Sequence, residues 1–243
     1  MDKKQIYASL ASFIHQNRDA VHLLPETKKL RTMNIYNVII LDESGSMSSI
    51  YNETVQSMNE VLNGIRNNQS EFPDQRHHVT IVTFEGYGME GVKTRRDRVP
   101  VTTIKPFTDR DYNPGGCTPL YDAMGKTLTE LERLVHPDDK VMVTVITDGM
   151  ENSSQEYSGK TIRNLVGRLR EKGWLIAYIG ANQDSFEVAR SINISNAMNY
   201  DATPEGVTVM ACRLERSTRR MARHADKGEN LGSIDDIFEE GED

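Results

Sequence analysis

Cysteine is scarce in this chain: Cys117 and Cys212 are the two among 243 residues. Two thiols cannot build a disulfide framework. The opening Met1-Asp2-Lys3-Lys4-Gln5-Ile6 has basic residues but no long apolar stretch or small-residue cleavage site behind it. No secretory signal is therefore expected, and the cytosol is the expected compartment. Long hydrophobic runs are also missing. Nothing approaches the roughly 20 apolar residues of a membrane span, so a soluble chain with no membrane partner is expected. Positive charge is in deficit, with a net charge of −7. That balance argues against a general nucleic-acid role and for ordinary solubility. Motifs of histidine chemistry are lacking too. There is no H-E-x-x-H and no readable Ser–His pair, and the adjacent His77 and His78 must point to opposite faces of a strand.

What is present is enough for a packed core. Hydrophobic residues make up 37 % of the chain, and its length suits one sizeable α/β domain with additions, or at most two small domains. Residues 3–18 read as an amphipathic helix, with Ile6, Tyr7, Leu10, Phe13 and Ile14 on one side. Strands are expected at Ile35–Leu41, His78–Phe84, Val141–Thr147, Trp174–Ile179 and Ala197–Tyr200. Helices are expected near Asn52–Asn67, Pro119–Val135, Lys160–Lys172, Phe186–Ile192 and Pro204–His224. Arg98–Ile104 reads as an antiparallel strand returning at an edge after the glycine-rich tip Gly86–Gly91. Alternating strands and helices with short connections predict an α/β fold: a doubly wound, mostly parallel sheet with one antiparallel edge strand and helices on both faces. The expected organisation is an N-terminal helical extension over 1–33, a main domain over 34–225 and a disordered acidic tail over 226–243.

The chemistry concentrates where the first strand ends. Asp42-Glu43-Ser44-Gly45-Ser46 directly follows the apolar run Tyr36–Leu41. A carboxylate and two hydroxyls at alternate positions can converge on one hard cation if the backbone folds into a tight loop there, which Gly45 permits. Oxygen-only ligands suit Mg²⁺, Mn²⁺ or Ca²⁺ and suit zinc or copper poorly. The same pattern also makes an ordinary strand-to-helix turn. Two later segments favour the ion site. Gly115-Gly116-Cys117-Thr118 places a hydroxyl just before a helix, and Val141–Thr147 ends in Asp148. In an open parallel sheet the carboxyl ends of the strands share one edge, where ligands bind. Asp42, Ser44, Ser46, Thr118 and Asp148 should therefore meet at one rim.

This ordered set resembles the von Willebrand factor A family, whose metal-ion-dependent adhesion site reads D-x-S-x-S, then Thr, then Asp. The likeness runs from about Asn34 to Arg223, and the sparse cysteine makes the chain look like the intracellular, bacterial or phage branch. The resemblance implies that Ser44 and Ser46 bind Mg²⁺ directly, with Mn²⁺ or Ca²⁺ as alternatives. It implies that Thr118 binds directly or through water, and that Asp42 and Asp148 accept hydrogen bonds from bound waters. It further implies a non-enzymatic adaptor or scaffold whose protein partner supplies an Asp or Glu to the metal. Two other functions stay open. A Mg²⁺-dependent phosphohydrolase also begins with a strand-end Asp, but it places a second carboxylate two residues on, where Ser44 stands. A nucleic-acid-associated factor could use Arg213, Arg216, Arg219, Arg220 and Arg223 on the last helix, though no aromatics interleave them. Glu43 reads as a rim residue tuning selectivity or as a solvated side chain. Glu151, Asn152, Asn182 and Asp184 are candidates at the edge of the rim.

Overall fold

The computed structural model describes residues 32–181, 185–235 and 237–239. The helix expected over 3–18 and the candidates Asn182 and Asp184 lie outside the described residues. The chain runs β1 (Met33–Asp42), α1 (Tyr51–Glu71), β2 (Gln75–Phe84), β3 (Val92–Pro100), α2 (Leu120–Glu132) and β4 (Lys140–Thr147). It continues through α3 (Gly159–Glu171), β5 (Leu175–Ala181), α4 (Ser185–Ser191), β6 (Asn196–Tyr200) and α5 (Pro204–Asp226). A 3-10 turn over Gly45–Ile50 joins β1 to α1. Among the described residues the strands form one sheet in the order β3-β2-β1-β4-β5-β6. Every pairing is parallel except β2 with β3.

Alternation along the strands divides the apolar residues between two cores. Val141, Val143 and Val145 face α2 and α3, where Leu128, Ile162 and Val166 are buried. Met142 and Ile146 face the opposite layer, where α1 and α5 contribute Met58, Leu62, Met210 and Leu214. Each such side chain, fully buried, stabilises the fold by about 1.5–3 kcal/mol. Helix starts follow local capping chemistry. Thr203 Oγ1 accepts from Gly206 N at 3.1 Å with Pro204 in the first turn of α5, and Ser158 Oγ accepts from Thr161 N at 3.2 Å at α3. Such caps contribute about 1 kcal/mol.

Three expectations need correction. The edge strand is Val92–Pro100, earlier than Arg98–Ile104. Its charged run Lys93–Arg98 hid it, yet charge is what an edge strand carries to discourage further pairing. The apolar signal of Val101 and Ile104 arises because the turn after Pro100 plugs these side chains into the core. Helix α1 runs on past Asn67, since Asn68 Nδ2 donates to Thr218 Oγ1 of α5 at 3.1 Å and ties its polar last turn down. The tail is not loose over its described part. Leu231 and Ile237 are 0 % and 1 % exposed, and Asn196 of β6 holds them by donating to Ile234 O (2.6 Å) and accepting from Ile237 N (3.0 Å). Apolar residues spaced three apart outweigh the acidic composition there.

Candidate metal centre

The strand order reverses direction between β1 and β4, and the two lie side by side and parallel. A crevice opens at such a switch point, outside the carboxyl ends of the strands. Asp42 is the last residue of β1, and Asp148 follows the last residue of β4. Asp42 is wholly buried, and each of its oxygens is held. Oδ1 accepts from Ser44 N at 2.7 Å, Oδ2 accepts from Thr147 Oγ1 at 2.5 Å, and the carbonyl accepts from Tyr112 OH at 2.9 Å. Ser44 Oγ lies 3.3 Å from Ser46 Oγ, and Ser46 Oγ donates to Asp148 Oδ1 at 2.6 Å.

The second loop is laced to the first through backbone. Gly45 N donates to Gly116 O at 3.2 Å, and Gly115 N donates to Glu43 O at 2.8 Å. Gly116 has φ +63°, and a Cβ there would fall 2.8 Å from Gly86 N, so both conformation and space require glycine. Thr118 is clamped by Asn152, which accepts from Thr118 N at 2.9 Å and donates its own N–H to Thr118 O at 3.2 Å. A methyl group placed on Gly149 would lie 3.3 Å from Thr118 Oγ1 and 3.9 Å from Asp42 Oδ2. The Thr118 hydroxyl and the Asp42 carboxylate thus border the same point. All five residues anticipated for the site stand at one rim.

Burial pushes the Asp42 carboxyl up from 3.8 to about 6, against the pull of its Thr147 and Ser44 hydrogen bonds; the nearby negative charge of Asp148 adds a smaller push. Burial likewise raises Asp148, while its Ser46 hydrogen bond opposes. Among the described residues no group of three or more His, Cys, Asp and Glu side chains is placed to hold an ion. The donor set here is three hydroxyls and two carboxylates, a hard, oxygen-only set with little negative charge. Such a set fits Mg²⁺ or Mn²⁺ carrying part of its water shell.

Other candidates fall elsewhere. The Glu43 side chain is 0 % exposed and paired with Arg95, so it is not solvated. Glu151 turns to α2, accepting from Tyr121 N at 2.8 Å and Ser154 N at 2.7 Å. Thr147 and Tyr112 were missed. Thr147 precedes Asp148 directly and was legible as a strand-end hydroxyl beside the motif; Tyr112 sits in an irregular segment without period. His77 is buried against Gln75 Oε1 (3.1 Å) and Asn37 (3.3 Å), while His78 stacks on Tyr36, confirming opposite faces. Burial lowers His77 to about 4, so it stays neutral in the core.

Residues 38–208 match the family model described as the von Willebrand factor type A domain. The chain belongs to that family. Among solved structures, this VWA domain is similar to the pilus adhesin SpaC from Lactobacillus rhamnosus GG in its open conformation. That match has a TM-score of 0.58 at 11 % identity, covering 82 % of this chain and 31 % of the adhesin. Proximal thread matrix protein 1 from the mussel byssus gives 0.53 at 15 % identity over 79 % of this chain and 47 % of its own. The SpRpn10 VWA domain gives 0.52 at 11 % over 73 % and 93 %. These likenesses establish the fold. The chain spans about half the length of the byssus protein or less of the first structures it matches. No curated protein is similar to it in sequence. No helix among the described residues is long and apolar enough to cross a membrane.

Proposed function

We propose that this VWA domain is a non-enzymatic protein-binding module, an adaptor or scaffold, that recognises a partner's Asp or Glu through a shared Mg²⁺ or Mn²⁺. Ser44, Ser46 and Thr118 would hold the ion by their hydroxyls, with Asp42 and Asp148 accepting from its waters. The observation that carries this reading is the placement of Ser44 Oγ and Ser46 Oγ, 3.3 Å apart, beside two buried carboxylates. Adjacent ligands of an octahedron with bonds of about 2.1 Å stand roughly 3 Å apart. When bound, the cation supplies an electrophilic position that a carboxylate can fill. Asp42 and Ser46 are fixed beforehand by their hydrogen bonds, so little ordering remains on binding. Around the rim, Tyr87 and Met150 are 66 % and 67 % exposed, two large apolar side chains available to a protein surface. The sparse cysteine supports a cytosolic, bacterial or phage setting.

Hydrolysis is not favoured. The position two residues after Asp42 holds a hydroxyl, so the acid/base partner of a phosphohydrolase is missing. Part of the basic stripe of α5 is engaged within the molecule. Arg219 pairs with Glu71 at 2.8 Å, and Arg220 donates to Glu239 O at 3.0 Å. Calorimetry with Mn²⁺ should give one site in the wild type and none in Asp42→Ala; equal binding by both refutes the assignment. Thr118→Ala keeps the backbone bond to Asn152 and removes one ligand. It should weaken capture of a partner as EDTA does. Capture that survives EDTA but fails in high salt would transfer the role to α5, because exposed charges are screened and chelator does not touch them.

A further inference from the structure

Glu43 lies between Asp42 and Ser44, yet it is fastened to three other segments. Its N–H donates to Phe84 O at the end of β2 (2.8 Å), and its carbonyl accepts from Gly115 N (2.8 Å). Its carboxylate accepts from Arg95 Nη2 through both oxygens, at 2.9 and 2.8 Å, and from Asn113 N at 2.5 Å. Arg95 is itself anchored on β2, its Nε donating to Thr83 Oγ1 at 2.8 Å. The two side chains are 0 % and 20 % exposed. One charge-assisted pair thus ties the Ser44–Ser46 loop, the edge strand β3 and the segment leading to Thr118. A planar guanidinium suits this task because it holds the carboxylate and Thr83 at once, whereas an ammonium presents a single point.

We propose that Glu43 and Arg95 are positioning residues that set the spacing between Ser44, Ser46 and Thr118, and through it the affinity of the site for its cation. This deepens, and rests on, the metal reading above. Two simpler accounts are separable from it. If the pair only stabilises the fold, variants that remain folded bind cation as the wild type does. If it acts by charge, removing Arg95 tightens binding, because a positive charge near the ion is gone. Positioning demands the opposite sign.

The test is Mn²⁺ calorimetry on Arg95→Met, Arg95→Lys and Glu43→Gln, well below each variant's thermal transition, with circular dichroism to confirm the fold. Loss of a partner that orients ligands typically weakens a metal site about 10–100-fold. Arg95→Met should fall in that range. Arg95→Lys, which keeps the charge and loses the fork, should also bind more weakly, and it decides the matter if Arg95→Met does not fold. Glu43→Gln should be weakened likewise. Wild-type affinity or better in Arg95→Lys, or tighter binding in folded Arg95→Met, overturns the positioning role alone. A wild type that takes up no Mn²⁺ removes the metal reading, and this inference with it.

Discussion

Asp42→Asn is expected to raise the stability of the metal-free protein at pH 7 by as much as about 3 kcal/mol. The Asp42 carboxyl titrates at about 6 in the fold against 3.8 for the ordinary group, because it is buried and faces Asp148. Each unit is worth about 1.4 kcal/mol. Between those values the folded protein binds a proton that the unfolded chain has already released, so stability falls as pH rises. The contribution is intact below about pH 4 and gone above about 6. Asparagine never meets this cost. Its Oδ1 can go on accepting from Ser44 N, and its Nδ2 can donate to Thr147 Oγ1, whose proton then serves Gly149 O, 3.0 Å away. Glu71, Glu132 and Asp97 have carboxyls held low chiefly by arginine hydrogen bonds; at Asp111 burial is the largest single influence and pushes up, but the hydrogen bonds of Arg96 and Thr108 together outweigh it, and all four groups add stability with rising pH. The informative quantity is therefore the difference between variant and wild type. Urea unfolding in EDTA from pH 4 to 8 should show that difference growing through the window. A constant difference would mean Asp42 is not strained by its burial. Mg²⁺ at a thousand times its Kd should reverse the ranking, since it then stabilises the form it binds by about 4.1 kcal/mol.

What could be read beforehand, and what could not, divides by the range of the interactions. Asp42, Ser44 and Ser46 sit within five positions, and the strand preceding them is plainly apolar, so their convergence follows from local geometry. Asp148 was legible for the same reason, at the end of β4. Thr118 needed only the rule that parallel strands share a carboxyl edge. The burial of Glu43 was not legible because its partner, Arg95, is 52 residues away on a strand whose charged run hid it. Alternation gives no sign that an acid inside a polar loop will be buried. The tail failed by the same logic: Leu231 and Ile237 are few among acids, and only the groove beside β6 makes them core. Thr147 reads as a strand residue because its β-branch fits a buried strand, and its hydroxyl finds Asp42 only once β1 and β4 are neighbours.

Asp122→Ala should produce the largest loss of stability, about 3–5 kcal/mol. Asp122 is wholly buried in the first turn of α2. Its carboxylate gathers three backbone N–H groups from the loop after β4: Gln155 at 2.8 Å, Glu156 at 3.0 Å and Tyr157 at 2.8 Å. Its own N–H donates to Ser154 Oγ at 3.0 Å. Hydrogen bonds to a charged acceptor contribute about 1.5–3 kcal/mol each. The sum is not reached, because Gln155 and Glu156 are exposed and water can take over part of the role. For a domain of this size each kcal/mol moves the melting temperature by about 2–4 °C, so a fall of roughly 6–20 °C is expected. Asp122→Asn should lie between, since one amide oxygen survives while the NH₂ confronts a backbone donor. Glu132→Ala, which breaks surface pairs with Arg168 and Lys172 at 2.7 and 2.8 Å, should cost under about 1 kcal/mol. The loop gathered by Asp122 also carries Asn152, which clamps Thr118, and Ser153, whose carbonyl accepts from Gly88 N at 3.1 Å. Loosening it should weaken Mn²⁺ binding in the protein that remains folded. A melting temperature within 2–3 °C of wild type, about 1 kcal/mol, would show that the loop is held by Glu151 and Asn152 alone, and cation affinity should then be unchanged as well.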